Sequence, residues 1–123
     1  MKAFSIFRLG RILLVYLQEE IDDEQVKELL KELSRKVRTF RARAVIVDLS
    51  DIEVMDTYLA ENIQRLATTM SLFQAEVVVS GLGAHAISAL KAFGMSFGTN
   101  LQFALDAEQA LWKLGCRIVE VGS

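Results

Sequence analysis

The chain contains no proline, one cysteine and one histidine in 123 residues. A lone Cys116 can neither close an internal disulfide nor assemble a thiolate zinc site, which agrees with a reducing compartment. His85 stands between Ala84 and Ala86, with no nucleophile or orienting acid beside it, so a surface or helix-capping role fits it better than catalysis. The expectation is a protein that is not an enzyme and uses no cofactor or metal. Long hydrophobic runs are also missing, and the opening Met1-Lys2-Ala3-Phe4-Ser5 has no signal-peptide core, so the expected location is the cytoplasm. With no proline to punctuate the loops, glycine and polar residues must mark the turns.

What is present is a core-rich composition. Apolar residues make up 52% and charged residues 24%, which argues against disorder, and the length suits a single domain over residues 1–123. The net charge is −2, and the basic residues are scattered except for Arg35, Lys36, Arg38, Arg41 and Arg43. That cluster falls at the end of a predicted helix, where cations complement the carbonyl end of the dipole. It is therefore read as structural, and neither nucleic acid nor a membrane is expected as a partner.

Hydrophobic spacing predicts the elements. Arg11 to Leu17 reads as a strand after Gly10, paired in a hairpin with Ala3 to Phe7. From Asp22 to Phe40, the residues Val26, Leu29, Leu30, Leu33, Val37 and Phe40 recur at helical steps, with acids in front and bases behind. Ala44 to Val47 and Val77 to Val79 are short continuous apolar runs, the pattern of strands covered on both faces. Between them Leu59, Ile63, Leu66, Met70 and Phe73 mark a second helix.

Ile87, Leu90 and Phe93 mark a third helix closed by Gly94, Leu101 to Leu105 a strand, and Asp106 to Leu114 a fourth helix ended by Gly115. Arg117 to Val121 is a candidate edge strand. Trp112 and the stripe from Met70 to Phe73 are expected in the core. The order β-β-α-β-α-β-α-β-α predicts an α/β fold, a mostly parallel sheet of four to six strands packed with four helices. Its carboxyl-end rim, where sites tend to be built, carries Asp48 to Thr57 and Ser80 to Ala84.

The loop from Asp48 to Thr57 holds four carboxylates (Asp48, Asp51, Glu53, Asp56) and two hydroxyls (Ser50, Thr57) in ten positions. Either Asp56 or Thr57 can cap the following helix, and capping needs only one of them. The pattern Asp48-Leu49-Ser50, then Met55-Asp56-Thr57 and a helix with Ala60, resembles the signature loop of STAS-domain anti-sigma-factor antagonists. Within that family it is most similar to the stressosome scaffold and co-antagonist proteins, the RsbS and RsbR types. The resemblance runs through Val77-Val78-Val79-Ser80-Gly81 to the helix after Asp106.

The resemblance implies the STAS fold and a stress-signalling, partner-switching role. It makes Thr57 the phosphoacceptor of an RsbT-like Ser/Thr switch kinase that the unmodified protein binds and sequesters. It places partner contacts on Asp48, Ser50, Asp51, Glu53, Asp56, Tyr58, Gly81 and Gly83. RsbR-like co-antagonist STAS proteins, a resetting phosphatase and a homo- or hetero-oligomeric scaffold are the further partners it implies. RsbS-type proteins usually carry serine at the acceptor, so Thr57 is closer to the RsbR type. That type has a second acceptor in a later loop, for which Ser96 and Thr99 are the candidates.

Two other readings keep some of these features. A response-regulator receiver phosphorylated on Asp48 needs a paired-carboxylate metal site after the first strand and a lysine ending a later strand. Asp22-Asp23 starts a helix instead, and Leu101 to Leu105 has no lysine. A STAS subunit of a lipid- or anion-transport assembly would keep the fold without the phosphoswitch. Gly81-Leu82-Gly83 lacks the third glycine or Gly-Lys-Ser/Thr ending of a nucleotide loop and is read as a turn.

Overall fold

The computed structural model describes residues 3–92 and 101–115. The chain starts with a hairpin of strands β1 (Phe4–Leu9) and β2 (Ile12–Leu17), joined through Gly10, whose φ of +61° suits a two-residue hairpin turn. Helix α1 (Asp23–Phe40) follows. Asp22 caps it by accepting the Gln25 N–H at 2.9 Å, Asp23 and Glu24 occupy its first turn, and Val26, Leu29, Leu33 and Val37 form its buried stripe.

Strand β3 (Ala44–Asp48), helix α2 (Thr57–Ser71), strand β4 (Glu76–Ser80) and helix α3 (Ala84–Ala92) come next. Strand β5 (Leu101–Ala104) and helix α4 (Ala107–Lys113) complete the described elements.

The five strands lie in the order β1-β2-β3-β4-β5, with β1 antiparallel to β2 and every later pairing parallel. Parallel neighbours in register bring Tyr16, Asp48, Ser80 and Ala104 to one end of the sheet and Ile12, Ala44 and Glu76 to the other. The loops that leave the strand ends, 49–56 and 81–83, therefore share one rim.

Alternation along the strands divides the core into two layers. Leu13, Val15, Val45, Val47, Val77 and Val79 face one way and pack with Leu29 and Leu33 of α1, Ile63 and Met70 of α2 and Leu90 of α3. Ile12, Ala44, Ile46, Val78 and Ala104 face the other way, against Ala110 and Leu114. Each fully enclosed aliphatic side chain contributes roughly 1.5–3 kcal/mol, so the first layer outweighs any single cap or polar contact in holding the fold.

The predicted elements appear with ends shifted by one or two residues. Trp112 does not join the core: it is half exposed, because α4 turns Ala110 and Leu114 toward the sheet and Trp112 away. Met70 is fully buried as expected, while Phe73 is only half-buried beyond the end of α2. Phe93, Gly94, Ser96, Thr99, Cys116 and the candidate strand Arg117 to Val121 lie outside the described residues.

Candidate functional site

At the carboxyl end of β3 the chain stops being a strand because Asp48 turns its side chain into a polar clasp. Asp48 is 5% exposed, and its two carboxylate oxygens accept from different hydroxyls. Ser80 Oγ donates to Oδ1 at 2.9 Å, and Ser50 Oγ donates to Oδ2 at 2.5 Å. The Leu49 N–H donates to the Ser80 carbonyl at 2.8 Å, so β3 and β4 are tied once more beyond their ladder.

Gly81 sits against this clasp with φ +85°, where a Cβ would lie 2.6 Å from Ser50 N and 2.8 Å from Asp48 Oδ1. Only a glycine fits the backbone angle and the space together. Gly81 also donates its N–H to the Leu105 carbonyl at 3.1 Å, which draws the loop before α4 toward the same rim.

The loop then crosses to the turn between β2 and α1. The Glu19 N–H donates to Asp51 Oδ2 at 3.2 Å, and the Glu53 N–H donates to Glu19 Oε2 at 2.8 Å. This reciprocal pair fixes the middle of the loop, where Val54 stands 68% exposed.

Asp56 is the N-cap of α2: its backbone is extended and its Oδ1 accepts the Leu59 N–H at 2.7 Å. Thr57 is thereby the first helical residue, exposed, and its hydroxyl makes no hydrogen bond among the described residues. Of the two candidate caps, the carboxylate takes the task and leaves the hydroxyl presented to solvent. One residue on, the Tyr58 hydroxyl donates to Asp23 Oδ1 at the start of α1, and this bond pushes the phenol above its ordinary pKa.

All the sequence-predicted loop residues therefore meet on one rim, in two roles. Asp48 is buried and supports the loop from within, whereas Ser50, Asp51, Glu53, Asp56, Thr57 and Tyr58 are exposed along it. Gly81 is wedged beneath the loop, and Gly83 is exposed with open space around it. Three participants come from outside the motif: Glu19, Asp23 and Asn62.

Asn62 is buried, lines the cleft between Glu19, Asp56 and Tyr58, and leaves its Nδ2 without a hydrogen-bond partner among the described residues. The signal for Asn62 in the sequence is a polar residue on the apolar side of a helix, three positions after Leu59. Residues 17–24 and 49–58 together carry eight carboxylates (Glu19, Glu20, Asp22, Asp23, Glu24, Asp51, Glu53, Asp56) and no lysine or arginine, so the rim is strongly acidic. Among the described residues no group of histidine, cysteine and carboxylates could hold a metal, and no helix is long and apolar enough to cross a membrane.

The family model for the STAS domain matches residues 4–109. The chain belongs to the STAS family. Solved structures similar to this STAS domain include RsbS of Moorella thermoacetica in a serine-to-glutamate variant, with a TM-score of 0.78 at 20% identity, over 90% of this chain and 93% of that one. A chain from the molecular architecture of the stressosome, a signal integration and transduction hub, superposes with a TM-score of 0.79 at 20% identity, covering 90% and 96% of the two chains. The anti-sigma factor antagonist SpoIIAA in its unphosphorylated form gives 0.69 at 15% identity, covering 96% and 100%. At these identities the likeness is one of fold. No curated protein matches the sequence as a relative.

Proposed function

We propose that this STAS domain is a phosphorylation-controlled binding module in a cytoplasmic partner-switching pathway, a scaffold or antagonist that itself catalyses nothing. The unmodified acidic rim binds and sequesters an RsbT-like Ser/Thr switch kinase, and phosphorylation of Thr57 releases it. RsbR-like co-antagonists and a resetting phosphatase are its other partners. The observation that carries this reading is the division of labour at the start of α2. Asp56 caps the helix through Leu59, and the Thr57 hydroxyl is left exposed with no structural task.

The energetics give the switch its sign. A phosphate on Thr57 adds about −1.5 to −2 charges at neutral pH. The helix N-terminus favours that anion by about 0.3–1 kcal/mol, while Asp56 beside it and Glu53 nearby in the chain oppose it, so the fold survives the modification. At a docked interface the balance reverses. A desolvated, unpaired phosphate costs several kcal/mol there, and every 1.4 kcal/mol or so is about tenfold in affinity.

Intact-mass measurement with phosphosite mapping, after incubation with ATP and a Ser/Thr switch kinase from the same genome, tests the reading. The expected product carries one phosphate on Thr57 and is absent in Thr57→Ala. Thr57→Glu is expected to bind the kinase at least about tenfold more weakly. Unmodified Thr57, or equal binding by Thr57→Glu, would replace this reading with a STAS domain of a transport assembly or a constitutive scaffold.

A further inference from the structure

Beneath the acidic rim, a cleft runs inward between α1 and α2. Its outer part, about 80 Å³, is bounded by Glu19, Asp56 and Tyr58, and its inner part, about 20 Å³, by Leu29, Leu30, Ile63 and Leu66. The two parts share Ile21, Val26, Leu59 and Asn62, so Asn62 is the polar residue at their junction. A polar mouth that leads to an apolar interior past one buried polar group is the build of a small-molecule site.

Asn62 is 7% exposed, and its Nδ2 has no hydrogen-bond partner among the described residues. Tyr58 is close enough for Asn62 to hold the phenol pKa down against the larger upward effect of Asp23, yet the contact falls short of a hydrogen bond, and the phenol already donates to Asp23. A buried donor left unmet works against folding, and leucine, of similar volume, would pack beside Leu59 and Ile63 without that cost. The fold alone therefore gives no reason for an amide here.

We infer that the cleft binds a small neutral molecule with a hydroxyl head and a short alkyl tail, the head on Asn62 and the tail between α1 and α2. A hydroxyl accepts from Nδ2 and donates at the same time to a carboxylate of the mouth. Glu19 and Asp56 each accept one backbone N–H through one oxygen and have a second oxygen for such a donor. A carboxylate head is repelled by these two acids, and an ammonium head carries donors only and cannot meet Nδ2. An apolar cavity of roughly 150 Å³ holds benzene, so the two parts of this cleft suit a molecule of about five non-hydrogen atoms. Thr57 does not line the cleft, so its occupant sits under the rim without covering the acceptor hydroxyl, and the inference stands apart from the phosphoswitch.

NMR titration of the full chain with butan-1-ol, butyrate and butylammonium tests the assignment. Butan-1-ol should give saturable shifts in the amides of residues 26–30 and 59–66, with a Kd of about 1–10 mM for so small a ligand, and the two charged analogues should bind at least about tenfold more weakly. Asn62→Leu should weaken butan-1-ol binding by about tenfold or more and, without ligand, raise the urea midpoint, whereas an asparagine needed for structure would lower it when replaced. Leu30→Phe, which fills the inner part from α1, should also weaken binding, and it tests the site independently of Asn62.

Shifts that grow linearly without saturation, or that spread evenly over the surface, would mean that the cleft takes water alone and would overturn the inference. Equal binding of butyrate or butylammonium would overturn the hydroxyl head. Unchanged binding by Asn62→Leu or by Leu30→Phe, or an Asn62→Leu protein with no gain in urea midpoint, would overturn the site itself.

Discussion

Ser80 Oγ donates to Asp48 Oδ1 at 2.9 Å in a place where water reaches neither residue appreciably, Ser80 being 0% and Asp48 5% exposed. Removing the acceptor strands a buried hydroxyl. Asp48→Ala should therefore lower stability by about 1–3 kcal/mol, read as a lower urea midpoint at unchanged slope. Asp48→Asn, which keeps an acceptor oxygen, should lose less. Equal midpoints for Asp48→Ala and wild type would mean that the clasp contributes nothing.

Gly81 and Gly10 separate strain from crowding. Both have positive φ, but a Cβ at Gly10 meets nothing within 4 Å, whereas at Gly81 it meets Ser50 N at 2.6 Å. Gly10→Ala should cost about 1 kcal/mol for the backbone angle alone. Gly81→Ala should cost distinctly more and shift the amide resonances of residues 48–52 in NMR spectra.

The capping assignment is tested by neighbouring substitutions. Asp56→Ala removes the acceptor for the Leu59 N–H and should cost about 1 kcal/mol, whereas Thr57→Ala should stay within about 0.5 kcal/mol of wild type. If thermal melts ranked the two variants the other way, Thr57 would be the structural residue and its exposure would lose its functional meaning.

Tyr58 gives a pH signature. Its bond to Asp23 raises the phenol pKa, so the stabilising interaction is present below the ordinary tyrosine range and disappears as pH rises through the raised value. Absorbance titration should show Tyr58 ionising at lower pH in Asp23→Asn than in wild type. An identical curve would show that the bond between α2 and α1 is absent in solution.

Much of this was legible in the sequence because it is local. The stripe from Val26 to Val37, the continuous run Ala44 to Val47 and the aspartates before three helices follow from spacing and capping alone. The motif around Thr57 drew attention to the rim at the carboxyl ends of the strands. Glu19 was invisible because its contact with Glu53 joins residues 34 apart, and no periodicity encodes a contact between two loops. Asp48 was expected among the partner contacts, whereas the sheet register places it opposite Ser80 and out of water. Trp112 was misplaced by hydrophobicity, since a helix of seven residues with Ala110 and Leu114 on the sheet has no room for it on that side.

Among the described strands, order in the sheet is the same as order in the chain. During synthesis, each strand that leaves the ribosome therefore finds its neighbour already in place at the growing edge, and none must be inserted between two strands made earlier. The hairpin of β1 and β2, joined by a two-residue turn, is the cheapest pairing to close and comes first. Among the described strands the sheet grows by addition at one side, so its first three strands can be tested for order before the loop 49–56 has been made.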